Sequence, residues 1–412
     1  MSAGAEPGSI LVVGGGIAGF SAVRELRRRG YPGMVQMVDP AGLPYDRPPL
    51  SKAFLAGELD RQQLQLAPHQ WYADNRVEVL ADSVVKLDPG TGTAPVEAVL
   101  ASGERIRTDA VLLATGARAR RLPLPGMDLP GVLTLRSAED ALALRAQVHP
   151  GAQLVIIGAG LIGAETAGTA RSLGAAVTLV DPAQLPFERV VGAEMAGYLH
   201  GLHAGHGTSY LQDRPAAITR ARGGLAVELQ GGRTLPATAV LVAAGSEAET
   251  TLAAQAGLNV DGGVLVDSAG RTSHPRVFAA GDSSRPAGTA PGRRFEHWDA
   301  ARRTGEAAAA GLLGLEPPLP AADWFWSDRY GVHLEVAGSL AAPGQTVLRG
   351  EPGPGFMVFR VGADGTLAGV AAVNGGTSVR AARRLIESRR PVEATALADP
   401  GVDLRRLARA KG

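Results

Sequence analysis

The sequence predicts an α/β chain made of two Rossmann-like folds and a C-terminal α+β domain. Three observations predict it. A β-branched apolar run followed by G-x-G-x-x-G occurs twice, in Ser9–Gly19 and in Gln153–Gly163. A helical pattern follows each glycine motif, and a second apolar strand ends in an acid about 20 residues beyond the third glycine, at Asp39 and at Asp181. The composition then shifts after Pro317-Pro318-Leu319-Pro320, where Trp324, Phe325, Trp326 and Tyr330 crowd into seven residues. A lone glycine motif would carry little weight in a chain with 55 glycines among 412 residues. Its repetition, with strand before, helix after and acid beyond, carries much more.

Each element can be justified in order. The first strand leads to a helix over Ser21–Arg29, stopped at Gly30, and then to the strand Met34–Asp39. The second copy gives a helix over Ala164–Leu173, stopped at Gly174, and the strand Ala176–Asp181. Further strands, Ala110–Ala114, Ala239–Ala244 and Arg276–Ala280, end in small residues, which lets a ligand approach the backbone at their C-terminal ends. Pro286–Arg294 reads as a loop and Ala300–Leu313 as a helix. The last domain reads as strands at Val332–Ala337, Gln345–Arg349, Phe356–Val361 and Leu367–Val373, then a helix at Val379–Ser388. The expected division is 1–118 with 245–319 for the first fold, 119–244 for the second, and 320–412 for the C-terminal domain.

Composition narrows the chemistry. Basic and acidic residues nearly cancel, 41 against 40, which argues against general nucleic-acid or membrane-surface binding. There is no Cys, so a disulfide scaffold, a Cys-ligated metal, a thiol nucleophile and a redox-active disulfide are excluded. No charged leader or long apolar run is visible, and the expectation is a soluble cytoplasmic protein. Lys occurs only at 52, 86 and 411 in an Arg-rich chain.

Two such folds imply two dinucleotides. In each, the glycines (Gly14, Gly16 and Gly19; Gly158, Gly160 and Gly163) bring backbone N–H groups and a helix N-terminus to a pyrophosphate, and the acid, Asp39 or Asp181, accepts from ribose hydroxyls. FAD with NADH is the natural pair, since hydride passes between their rings. The N-terminal copy would hold FAD. Asp282, after an apolar strand, would bind its ribityl chain or cap a helix. The turn after Asp181, Pro182-Ala183-Gln184, has no cation to meet a 2′-phosphate, so NADH is expected over NADPH; Arg189 further along is the one basic residue that could swing in.

The motifs Tyr45-Asp-Arg-Pro-Pro-Leu-Ser-Lys52, Ala114-Thr-Gly116, Leu135-Arg136, Gly158–Glu165, Ala280-Gly-Asp282, Glu296-His-Trp298, Trp326-Ser-Asp328 and Ala398-Asp-Pro400 run in order from end to end. With them the chain resembles the FAD-dependent ferredoxin reductases of bacterial oxygenase systems, related to the glutathione reductase superfamily and to apoptosis-inducing factor. The resemblance implies an NADH:ferredoxin oxidoreductase in which flavin takes hydride and releases electrons singly to an iron–sulfur ferredoxin, an acidic protein. It implies a Lys52–Glu165 pair beside the flavin and Trp326 and Trp298 flanking it. Arg47 and Arg136 are implied as FAD contacts, with Ile17, Ala18, Val84, Ala114, Thr115 and Gly116 completing that set. Leu161, Ile162, Gly245, Glu165 and Arg189 join the NAD set. A monomer or weak dimer is expected.

Other features read as structural. His200, His203 and His206 are spaced for one helix face, but Gly201, Gly205 and Gly207 weaken a helix there and no carboxylate joins them, so a solvated helix end is expected rather than a metal. Trp324 and Phe325 are expected in the core. The Arg pairs at 293/294, 302/303, 383/384, 389/390 and 405/406 read as solvated faces, of which one or two could dock an acidic protein. Rival readings are reduction of another acceptor (rubredoxin, quinone, monodehydroascorbate or oxygen) and a redox-sensing protein like apoptosis-inducing factor.

Overall fold

A computed structural model describes residues 6–91, 94–289, 294 and 296–409. Arg293, one of the arginines named above, lies outside them. The chain forms two compact units: Met1–Arg47, Asp60–Arg118 and Ser246–Pro320 make the first, and Pro48–Leu59, Ala119–Gly245 and Ala321–Gly412 the second.

The first unit is built on a five-stranded parallel sheet in the order Val277–Ala279, Ala110–Leu113, Ser9–Val13, Met34–Val38, Val77–Leu80. Alternate residues of its central strand enter two separate cores. Ile10 and Val12 pack with Val35, Met37 and the helices Ile17–Arg28 and Trp298–Leu312 on one face; Leu11 and Val13 pack with a three-stranded antiparallel sheet, Val84–Asp88, Val96–Leu100 and Arg105–Thr108, on the other. Burial on both faces explains the unbroken apolar run of that strand. The second unit repeats the plan. Its sheet runs Ser209–Gln212, Ala176–Asp181, Gln153–Ile157, Ala239–Val242, Val132–Leu133, and a small antiparallel sheet of 215–221, 224–229 and 234–237 covers Val155 and Ile157. The glycine strand is central in both sheets, flanked on one side by the acid-ended strand.

The second unit also contains an antiparallel sheet in the order Trp324–Arg329, Val332–Gly338, Leu367–Val373, Met357–Val361, Gln345–Arg349, with the helix Thr377–Ser388 packed on one face. The other face, through Phe325, Leu334 and Val358, packs on Val191, Met195 and Leu199, which follow the second glycine-motif helix and its acid-ended strand.

Three local expectations needed revision. Both glycine-motif helices begin earlier than expected, at Ile17 and Leu161, because Gly16 and Gly160 are extended N-caps and the chain turns helical at once. Trp324–Arg329 is a strand whose exposure alternates, with Phe325, Ser327 and Arg329 buried; dense aromatic residues masked its period of two. Ala193–Gly205 is a continuous helix despite its glycines, since burial of Met195, Ala196 and Leu199 offsets a cost of about 1 kcal/mol per glycine. His203 is therefore buried rather than at a solvated end. Its Nδ1 meets the Tyr330 hydroxyl at 2.9 Å, and burial, helped by the Arg329 charge, pushes it down to about 3.

Candidate cofactor and electron-transfer site

The two glycine loops share one construction. A Cβ on Gly14 would lie 2.2 Å from the Ala114 carbonyl oxygen, and one on Gly158 would lie 2.4 Å from that of Ala243, so neither position tolerates a side chain. Both have positive φ, +109° and +102°. Gly19 and Gly163 let the helix close on its own loop: their Cβ atoms would come within 2.1 and 2.0 Å of the Gly14 and Gly158 oxygens. These four glycines are explained by packing alone.

The middle glycines are different. Gly160 faces open space, with nothing within 4 Å of a Cβ placed there. Gly16 faces the Arg47 guanidinium, whose Nη1 would be 2.5 Å from such a Cβ. Neither helix N-terminus receives a side-chain cap, so its first N–H groups keep no side-chain acceptor. Arg47 Nε is buried without an acceptor. An anion at each loop would satisfy these donors, so the residues present fit two dinucleotide pyrophosphates.

The two acids act first as latches. Asp39 Oδ2 accepts from Gly15 N at 2.6 Å and Oδ1 from Ala41 N at 2.8 Å. Asp181 Oδ2 accepts from Ala159 N at 2.9 Å and Oδ1 from Ala183 N at 2.9 Å. Each carboxylate thus ties the residue between the first two glycines to the end of the neighbouring strand. The Tyr210 hydroxyl adds a bond to the Asp181 carbonyl at 3.3 Å, a contact that no local motif announces.

Around the first loop, Gly281 (φ +72°) and Gly305 pack directly on Ala18. That contact brings Asp282, in the single 3-10 turn Gly281–Ser283, to the start of the helix that also contains Ile17. Trp298 begins the helix Trp298–Leu312, and its Nε1 donates to Asp46 Oδ1 at 2.8 Å. The Thr115 hydroxyl donates to the Glu249 carbonyl at 2.6 Å, and Gly116 turns the chain with φ +73°. Val84 packs half-buried against the core beneath the sheet. Lys52 and Arg136 belong to the second unit. Arg136 N donates to Asp140 at 2.8 Å in the capping box of Ala138–Arg145.

In the second unit, Leu161 and a 39 % exposed Ile162 open the helix Leu161–Ser172. Gly245 has φ +99°, and Arg189 is exposed on the short helix Glu188–Val191. Glu165, one turn into the glycine helix, is only 6 % exposed. It accepts from Lys52 Nζ at 2.9 Å and Ser51 Oγ at 2.5 Å on Oε2, and from Ser327 Oγ at 2.8 Å on Oε1. Thr169 on the same helix donates to the Ser51 carbonyl at 2.8 Å, which fixes the Ser51–Lys52 backbone. A cavity of about 250 Å³, lined among others by Lys52, Glu165, Asp328 and Arg329, opens beside the pair. Sequence reasoning missed Ser51 and Ser327 as partners of Glu165; both lie inside motifs quoted above, but only topology joins them.

Trp326 is half-buried and stacks on Trp324, with ring centroids 5.1 Å apart. Of the paired arginines, Arg302 and Arg303 are bound by Asp299 and Arg383 by Glu387. Arg384 and Arg389, with Arg380, are exposed and form no ion pair among the described residues. Among those residues no helix is long and apolar enough to cross a membrane.

Residues 8–305 match the pyridine nucleotide-disulphide oxidoreductase family and residues 324–408 the reductase C-terminal family. The chain is 37% identical over 406 residues to the benzene 1,2-dioxygenase system ferredoxin–NAD(+) reductase subunit of Pseudomonas putida, covering 97% of this chain and 98% of that one. It is 36% identical over 405 residues to rhodocoxin reductase of Rhodococcus erythropolis, covering 96% and 93%. Among solved structures, the ferredoxin reductase for the CYP199A2 system of Rhodopseudomonas palustris superposes with a TM-score of 0.91 at 34% identity, covering 97% and 100%. The covalent putidaredoxin reductase–putidaredoxin complex gives 0.90 at 31%, covering 98% and 99%. With two glycine loops of one design and a family match over most of its length, the chain belongs to the pyridine nucleotide-disulphide oxidoreductases.

Proposed function

We propose that the chain is an FAD-dependent NADH:ferredoxin oxidoreductase that feeds electrons to an oxygenase. The observation that carries this reading is the pair of matched glycine loops in a chain without cysteine, set beside relatives that bear ferredoxin reductase names. FAD, when bound, supplies the conversion of a two-electron hydride donor into a source of single electrons. The chain supplies the rest. Gly14–Gly19, with Asp39 and Arg47, binds the FAD pyrophosphate, with Ala114, Thr115, Gly116, Arg136, Asp282 and Trp298 holding the remainder. Gly158–Gly163, Asp181 and Gly245 bind NADH. The FAD fold is 1–118 with 245–319, the NAD fold 119–244, and the C-terminal domain 320–412.

Glu165 fixes Lys52, whose ammonium offers a compact positive charge for the electron density that hydride transfer brings. No thiol relay exists on this chain, so electrons leave toward the partner without a cysteine step. The partner is an acidic iron–sulfur ferredoxin. Trp326 is the apolar centre of its docking surface, and Arg380, Arg384 and Arg389 supply cations. The protein works in the cytoplasm, as a monomer or weak dimer.

Anaerobic stopped-flow reduction of the FAD-loaded protein tests the Lys52 role. Lys52→Met should slow reduction by NADH at least 10-fold, and Glu165→Ala should alter it while FAD stays bound. Unchanged rates in both variants would leave the pair a structural contact.

A further inference from the structure

Glu165 is held by more than Lys52, and the additional partners lead to a buried cation. Ser327 lies on the strand Trp324–Arg329, on the face opposite Trp326, and is fully buried. Its Oγ is 2.8 Å from Glu165 Oε1 and 3.2 Å from Arg329 Nη2. A guanidinium N–H can only donate, so it occupies a lone pair of the Ser327 oxygen. The single hydroxyl proton of Ser327 is then committed to Glu165 Oε1. The order of donation runs from Arg329 to Ser327 to Glu165, and Lys52 meets the same carboxylate at its other oxygen.

Arg329 has little other purpose in the fold. It is 6 % exposed, its Nε is buried with no acceptor, and its guanidinium lies 5.9 Å from the Phe187 ring centre. Burial pushes its proton affinity down, and the Glu165 charge is the largest influence opposing that. An arginine kept for packing would have its donors satisfied by carbonyl groups, as Arg27 does with Asn75, Tyr31, Gly33 and Arg76. The backbone places it. Gly168, one turn beyond Glu165, lies against the strand end, and even a Cβ there would meet Arg329 Cα only in ordinary contact at 3.7 Å. Tyr330 and Gly331, with φ of +53° and +74°, make the tight turn into the next strand that holds Arg329 opposite Val332.

We propose that Arg329, acting through the Ser327 hydroxyl, is a positioning residue that orients the Glu165 carboxylate and through it Lys52. This rests on the proposed role of the Lys52–Glu165 pair in reduction by NADH. The C-terminal domain then does more than carry Trp326: its first strand sets the charge pair that the glycine helix presents. Glu165 bonded only to Ser51 and Lys52 would be free to turn about its side-chain torsions, and Lys52 would follow it.

The test uses the FAD-loaded protein and four variants: Ser327→Ala, Ser327→Thr, Arg329→Met and the Ser327→Ala/Arg329→Met double variant. The first readout is stopped-flow reduction by NADH, resolved into a limiting rate and an NADH dissociation constant. Ser327→Ala and Arg329→Met should each lower the limiting rate about 10-fold with the dissociation constant changed less than about 2-fold. The double variant should be no slower than the slower single, because both act along one line. Ser327→Thr, which keeps the hydroxyl, should recover the rate to within about 2-fold. The second readout is acetylation of Lys52 by acetic anhydride, followed by mass spectrometry without NADH. Ser327→Ala should raise Lys52 labelling several-fold while labelling of Lys86 stays constant. Normal Lys52 labelling in Ser327→Ala, or losses of rate that multiply in the double variant, would overturn the proposal. If Arg329→Met does not fold, Ser327→Ala against Ser327→Thr decides it by labelling alone. If Lys52→Met reduces at the normal rate, the reduction role of the pair fails, while raised labelling in Ser327→Ala would still establish the positioning chain.

Discussion

Single positions in the glycine loops separate folding from binding. Gly163 allows no Cβ, because one would lie 2.0 Å from a backbone oxygen, whereas at Gly160 nothing stands within 4 Å and φ is an ordinary −69°. Gly160→Val should therefore leave thermal stability nearly unchanged while weakening NADH binding at least 10-fold, about 1.4 kcal/mol, because the side chain fills the space a pyrophosphate needs. Calorimetric melting and NADH titration check the two halves; equal binding by the variant would remove Gly160 from the site. His203 gives a pH dependence of known sign. Unfolded, it takes up a proton near 6.5; folded, it is held down to about 3 by burial and then by Arg329. Between those values the unfolded chain binds the extra proton, so this contribution is complete above pH 6.5 and is lost as pH falls toward 3. Its full size is of order 5 kcal/mol. Urea midpoints of wild type and His203→Gln, compared near pH 7.5 and near pH 4.5, should show the variant losing less stability in acid; parallel losses would contradict the assignment.

At the scale of elements, the proposed NADH site makes the strand-end acid Asp181 and its turn the determinants of coenzyme choice. Asp181 already accepts two backbone N–H bonds, from Ala159 and Ala183, and the exposed turn Pro182-Ala183-Gln184 carries no cation. A 2′-phosphate would meet a fixed carboxylate. NADH should exceed NADPH in kcat/KM by roughly 30- to 1000-fold, or about 2–4 kcal/mol, and comparable efficiencies in steady-state assays would contradict this. These elements were also the most legible in sequence. A parallel strand buried on both faces leaves a run such as Ile10–Val13, and the first and third glycines of each loop are forced by contacts at 2.0–2.4 Å that allow no other residue. The strand Trp324–Arg329 was less legible, because its buried face carries Ser327 and Arg329, which look like surface residues until Glu165 is brought against them. The helix Ala193–Gly205 misled for the converse reason: tertiary burial outweighed three glycines of weak local preference. The hydrogen bonds between Ser51, Ser327 and Glu165 span 114 and 162 residues, and no local pattern encodes such pairings.

At the scale of the molecule, electrons from NADH leave this chain for a ferredoxin. Net charge is +1, so association with an acidic ferredoxin would depend on local cations, for which Arg380, Arg384 and Arg389 are proposed, rather than on the whole surface field. Such attraction is screened over about 8–10 Å at moderate salt. The measurement is cytochrome c reduction by the FAD-loaded protein and NADH, with and without an added [2Fe–2S] ferredoxin, across a salt series, with ferricyanide reduction as the control. Turnover should depend on ferredoxin, its apparent KM should rise with salt, and ferricyanide reduction should barely change. Rapid reduction of ferricyanide with no ferredoxin-dependent cytochrome c reduction at any salt concentration would contradict this route.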